Sequence, residues 1–130
     1  MNPEIRQIQD WLNGFSQAVR ARDYDLGRRF FAPDVLGFGT VAERCDGLEN
    51  LEMRQWRKVW DVTTGFKFDL DSAVISQEGN MAWAACSWQS FGKDAAGSPV
   101  LRRGRSTFVF RREGEQWRSI HSHFSLEPRT

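Results

Sequence analysis

Apolar positions follow two rhythms along this chain, one in its first half and another in its second. After Asn2-Pro3, a cap with proline in the first turn, Ile5, Ile8, Trp11, Leu12, Phe15, Ala18 and Val19 recur at three- and four-residue spacing. That spacing predicts one apolar stripe on a helix of about five turns. Asp23 restarts a short helix in which Leu26 and Phe30 share a face, and Pro33 is expected to close it. Val35 to Thr40 reads as a first strand, with glycines at alternate positions where a backbone or a ligand can approach closely. From Gly47 a third helix turns Leu48, Leu51, Trp56, Val59 and Trp60 inward, and Thr63-Thr64-Gly65 ends it.

Beyond that point the period falls to two. Phe66, Phe68 and Leu70 alternate, Glu78-Gly79-Asn80 turns, and Met81 to Ser90 returns. Asp94 to Ser98 makes a looser turn, Val100 to Phe110 runs out, and Glu113-Gly114-Glu115 leads into a last strand. The order ααβα followed by four antiparallel strands predicts an α+β fold. No repeat, linker or low-complexity segment interrupts it, so residues 1–130 are expected to form one domain with a real core.

Composition narrows the partners. Six Trp and ten Phe against one Tyr supply ring surface with few hydroxyls, which favours packing and an apolar cavity. A net charge of only +1 argues against a nucleic-acid partner, which needs a concentrated basic face. Cys45 and Cys86 have neither the density of a disulfide scaffold nor the spacing of a metal or redox pair, and read as reduced thiols in a cytoplasm. The charged N-terminal helix lacks an apolar signal core. The longest uncharged run, Gly79 to Gly92, is too short to cross a bilayer, so no membrane partner is expected.

Several motifs carry a resemblance. The ending Trp117, His121, His123 and Ser125 resembles the SnoaL-like, or ketosteroid-isomerase-like, branch of the nuclear transport factor 2-like (NTF2-like) superfamily, and also the association domain of calmodulin-dependent kinase II. Ala21 to Leu26, followed by Phe31-Ala32-Pro33-Asp34-Val35, resembles the family's second-helix passage. Phe38-Gly39-Thr40 with Asp46-Gly47 is similar to its first strand and the turn into helix three. The resemblance implies an NTF2-like, cystatin-like cone, with three N-terminal helices packed on a curved antiparallel sheet and a pocket between them. Ketosteroid isomerases of this family use a helix-one tyrosine and a buried protonated aspartic acid as an oxyanion pair, with a second aspartate as base. By spacing, those positions fall on Phe15, near Thr107 and within Phe38 to Thr40, and none of these is an acid or a phenol. Steroid-type isomerisation therefore lacks its proton carrier.

Other candidates are weighed residue by residue. His121-x-His123 puts two imidazoles on one side of a strand, either as two metal ligands or as hydrogen-bonding groups within the sheet or an oligomer contact. With no placed third ligand, no metal or cofactor is expected. Cys86 reads as a structural thiol. On the strand through Arg105, Arg103, Arg105, Thr107 and Val109 share one side, while Gly104, Ser106, Phe108 and Phe110 share the other. The resemblance places the Thr107 side on the concave face. That would aim Arg105 into the cavity as a clamp for an anion, unless it pairs with a carboxylate such as Glu43.

The expected ligand site thus comprises the rings of Phe15, Phe38, Trp56, Trp60, Trp88 and Phe124, with Arg105 and Thr107 as polar anchors. The leading reading is binding, or turnover by an isomerase, cyclase or hydrolase, of a small hydrophobic molecule with an anionic or carbonyl end. The alternative is a non-catalytic oligomerisation module. A homodimer through the outer sheet faces is expected, with Phe108 and Phe110 against a partner sheet; in the alternative, that Phe108 and Phe110 face and the His121 and His123 pair serve assembly and the cavity is vestigial.

Overall fold

The computed structural model describes residues 2–128. Helix α1 spans Pro3–Ala21. Asn2 caps it by accepting the Glu4 N–H at 2.8 Å, and Arg22 ends it in a left-handed conformation, its N–H reaching the Ala18 and Val19 carbonyls. Helix α2, Tyr24–Arg28, is capped by Asp23 as its sequence predicts, but it ends before Pro33. Pro33 lies inside strand β1, Phe31–Phe38, where the pairing register shifts between Phe31 and Leu36. A residue that cannot donate to a ladder is tolerated at such an irregularity.

A two-residue strand β2, Cys45–Asp46, precedes the third helical segment. That segment is composite: α3 (Leu48–Leu51), a π-helical turn (Glu52–Trp56), α4 (Arg57–Val59) and a 3-10 turn (Trp60–Val62). Then come β3 (Thr64–Phe68), β4 (Val74–Glu78), β5 (Met81–Lys93), β6 (Pro99–Glu113) and β7 (Gln116–Leu126). All seven strands form one sheet, ordered β2-β1-β7-β6-β5-β3, with β4 also paired to β5. The sheet is mixed rather than wholly antiparallel, because β1 runs parallel to β7 with Leu36 opposite His121. Local periodicity carries no information about partner direction, which is why the sequence did not reveal this pairing.

Helix α1 lies on the concave face of the curved sheet. Its buried stripe includes Ile8, Trp11, Leu12, Phe15, Ala18 and Val19. The Trp11 ring sits 4.8 Å, centroid to centroid, from each of Phe108 and Phe110, and its indole N–H donates to the Phe30 carbonyl at 2.9 Å. Phe108 and Phe110 are both 0% exposed within the single chain. The expectation that they face a partner sheet is therefore corrected: they are the centre of the core. Full burial of each ring contributes about 1.5–3 kcal/mol.

Candidate ligand-binding hollow

The strand alternation that buries Phe108 sets the side on which every β6 residue lies. Gly104, Ser106, Phe108 and Phe110 are buried, while Arg103, Arg105 and Thr107 are exposed. Arg105 and Thr107, expected in the cavity, thus stand on the outer face. Arg105 reaches only the Ser125 hydroxyl, at 3.4 Å, and no ion pair joins it to Glu43 among the described residues. The physical reason is the side-chain period of two, since a one-residue error in phase reverses every side chain. Arg102, two residues before Gly104, takes the inward position instead.

A hollow lies between α1, the third helical segment and the sheet. Phe15 and Val19 come from α1, Trp56, Val59 and Trp60 from the helical segment, and Phe66, Trp88 and Phe124 from the strands. All six expected rings, Phe15, Phe38, Trp56, Trp60, Trp88 and Phe124, border this space. The Phe38 ring also stands edge-on to His121 and His123, at 5.1 and 5.5 Å between centroids. The rings leave little room. The cavity volume is about 50 Å³, against about 150 Å³ for an engineered apolar cavity that admits benzene.

The ring wall is stacked. Trp56 and Trp60 lie 4.7 Å apart at 18°, Tyr24 stacks on Trp60 at 4.9 Å, and the Arg57 guanidinium covers Tyr24 at 4.2 Å. Arg57 and Arg28 both bind the buried Glu52, at 2.7 and 2.8 Å. Burial pushes the Glu52 carboxyl up, but the hydrogen bonds from Arg28 and Arg57 outweigh it and hold the group below its ordinary value. The π turn leaves Gln55 directed at the loop after β1. Its carbonyl oxygen accepts from the Val41 and Ala42 N–H groups at 2.9 and 2.8 Å, and its amide donates to Thr40 Oγ1 at 3.0 Å. A Cβ at Gly39 would overlap the Gln55 side chain, so the backbone passes directly over it.

Sequence reasoning missed the polar residues of the hollow. Arg102 Nη1 donates to the almost fully buried Ser90 Oγ at 3.0 Å, and its guanidinium carbon lies 5.4 Å from the Trp88 ring centre. Burial lowers the affinity of this guanidinium for its proton. Among the described residues no carboxylate lies within ion-pair distance of it. The neighbouring Trp88 Nε1 is buried with no hydrogen-bond partner. An unsatisfied buried donor of this kind costs about 1–3 kcal/mol. The signal for Arg102 was present, because Ser90, Arg102, Gly104 and Phe108 share one phase in the β5–β6 register. Gly104 belongs to the same wall: a Cβ there would collide with the Trp88 ring and the Ser125 carbonyl.

The remaining candidates lie apart. His121 Nδ1–H donates to the Leu36 carbonyl at 2.7 Å. Among the described residues no three His, Cys, Asp or Glu side chains converge on a metal position. Burial pushes the Cys86 thiol up to about 11, with the Ser106 hydroxyl opposing this, and burial raises Cys45 as well. No helix among the described residues is long and apolar enough to cross a membrane.

A long helix on the concave face of a curved mixed sheet, with a ring-lined hollow beside it, defines an NTF2-like α+β protein. The chain belongs to the SnoaL-like domain family, whose model matches residues 8–128. Among solved structures it is similar to an NTF2-like superfamily protein from Salmonella enterica (TM-score 0.80, 20% identity, 96% of this chain and 92% of that one). It is also similar to a ketosteroid isomerase-like protein from Erwinia carotovora atroseptica (TM-score 0.80, 14% identity, 98% and 100%). A third similar structure is the association domain of C. elegans CaMKII (TM-score 0.74, 14% identity, 94% and 95%). At these identities the likeness is one of fold. No curated protein matches the chain.

Proposed function

We propose that this protein binds a small molecule with a short apolar part and an anionic or carbonyl end, the end being received by Arg102. One observation carries the reading: a half-buried guanidinium, with no carboxylate partner among the described residues, lies 5.4 Å from the Trp88 ring centre on the wall of an aromatic hollow. Arg102 offers donors to an oxygen-bearing group while the rings contact its apolar neighbour. Binding is favoured over turnover because, among the described residues, no carboxylate, imidazole, phenol or thiol lines the hollow. The narrowness of the space limits the inserted part to a few heavy atoms unless the rings part. Two free, buried cysteines support a reducing compartment, the cytoplasm.

Titration of tryptophan fluorescence with butanoate and 3-methylbutanoate, against the matching alcohols, tests this. The acids should bind more tightly, and Arg102→Ala should weaken them about tenfold, as loss of a charged hydrogen bond does. Absence of binding, or an Arg102→Ala variant that binds as well as the parent, refutes the reading.

A second reading concerns assembly, and the outer face of the sheet supports it. Trp83 is 43% exposed there, opposite Val109, with Met81 and Val74 nearby and also exposed. Large exposed rings on a sheet face suit contact with a second copy. Trp83→Glu should shift sedimentation from dimer to monomer; an unchanged dimer would rule out this face.

A further inference from the structure

The hollow opens beside a much larger groove, and three residues, Val59, Thr63 and Arg102, border both. By the same measure the groove offers about 610 Å³. Four cations line it: Arg22 from the end of α1, Lys58 from α4, Lys93 from the end of β5, and Arg102. Elsewhere the chain pairs its arginines readily, as Arg28 and Arg57 with Glu52, Arg44 with Asp46, and Arg111 with Glu113. None of the four groove cations has a carboxylate within 4.0 Å among the described residues. Among the described residues Asp61 is the one acid on the lining, and its carboxylate accepts a hydrogen bond from the Tyr24 hydroxyl.

Arg22 adds an independent observation. It is the one non-glycine residue at positive φ, 55°, among the described residues. Glycine relaxes such a helix end, and an arginine there carries backbone strain. Its guanidinium is fixed over the groove by a 3.1 Å hydrogen bond to the Thr63 carbonyl.

We infer that the groove holds the polyanionic part of a two-part ligand, a phosphate-bearing group such as a diphosphate, joined at Arg102 to a short apolar group in the hollow. Cations lining one groove from four separate elements suit a tetrahedral, many-oxygened anion better than one planar carboxylate. The inference rests on the proposed function for the apolar half and extends it to a substrate class.

Isothermal titration with 3-methylbutyl diphosphate, 3-methylbutanoate and inorganic pyrophosphate tests both halves. The diphosphate ester should bind about tenfold or more tightly than the carboxylate, with a steeper loss in added salt, as screened exposed charges require. Lys58→Ala and Lys93→Ala should each weaken the ester and pyrophosphate about two- to fivefold, the scale of an exposed ion pair, and leave the carboxylate unchanged. Arg22→Gly should keep or raise Tm while weakening the ester, which a purely structural arginine would not do. If ester and carboxylate bind equally, or the lysine variants change nothing, the groove inference is overturned and the hollow reading stands. If pyrophosphate binds as tightly as the ester, and Trp88→Phe leaves the ester's affinity intact, the hollow reading fails and the groove alone is kept.

Discussion

The two faces of β6 differ in what a substitution can do to them. On the concave face Gly104, Ser106, Phe108 and Phe110 are buried, and each is shaped by a neighbour: Trp88 over Gly104, the Cys86 carbonyl on the Ser106 hydroxyl at 3.0 Å, Trp11 on both rings. One residue out of phase, Arg103, Arg105 and Thr107 project outward, and Arg105 makes a single long contact. The same strand is thus a packed wall on one side and a solvated surface on the other. Large rings decide the phase, because leaving two phenylalanines in water would cost more than any arrangement of arginines could return.

Four measurements bear on that contrast. Phe108→Ala should have the largest effect, a loss of about 3–5 kcal/mol in urea unfolding, since it opens a cavity beneath Trp11. A loss below 1 kcal/mol would place the ring outside the core. Gly104→Ala should follow at about 1–3 kcal/mol, from the forced displacement of Trp88, and should also alter tryptophan emission. An unchanged spectrum would contradict the close approach. Cys86 should show its burial in a pH series. Its folded value near 11 lies above the ordinary 9.0, so stability is full below pH 9 and falls as pH rises through 9 to 11. Cys86→Ala should flatten that alkaline fall relative to the parent. Smallest of all, Arg105→Ala should change stability by no more than about 0.5 kcal/mol. It should leave carboxylate binding intact, whereas a tenfold loss would return the anchor to the outer face.

Much of the framework was legible because burial imprints its period on the chain. The α1 stripe, its Asn2-Pro3 start and the Asp23 cap follow from local spacing, while the strand rings on the hollow, Phe38, Trp88 and Phe124, follow from the family resemblance. What escaped depends on distant partners or on small irregularities. Pro33 reads as a helix stop, yet it sits in β1 where the register breaks. Two-residue β2 is too short for a period, and the π turn at Glu52–Trp56 changes spacing only locally. Arg102 is the inward arginine and Arg105 is not, because Phe108 and Phe110, rather than the family resemblance, set the buried side of β6. With the rings as reference, the arginine that meets Ser90 and Trp88 follows from counting in twos.

The parallel alignment of β1 with β7 has a consequence for how the molecule is made. Leu36 and His121, joined by a hydrogen bond, are 85 positions apart in the chain. Contacts so remote close slowly, since the intervening polymer must be gathered first. Until the ribosome has released the final hairpin, β1 has only the short β2 beside it, and the Ser122 and Phe124 wall does not exist. A nascent chain stalled before that hairpin would carry its helices yet lack a finished hollow, so the ring-lined space closes only as the last strands are made.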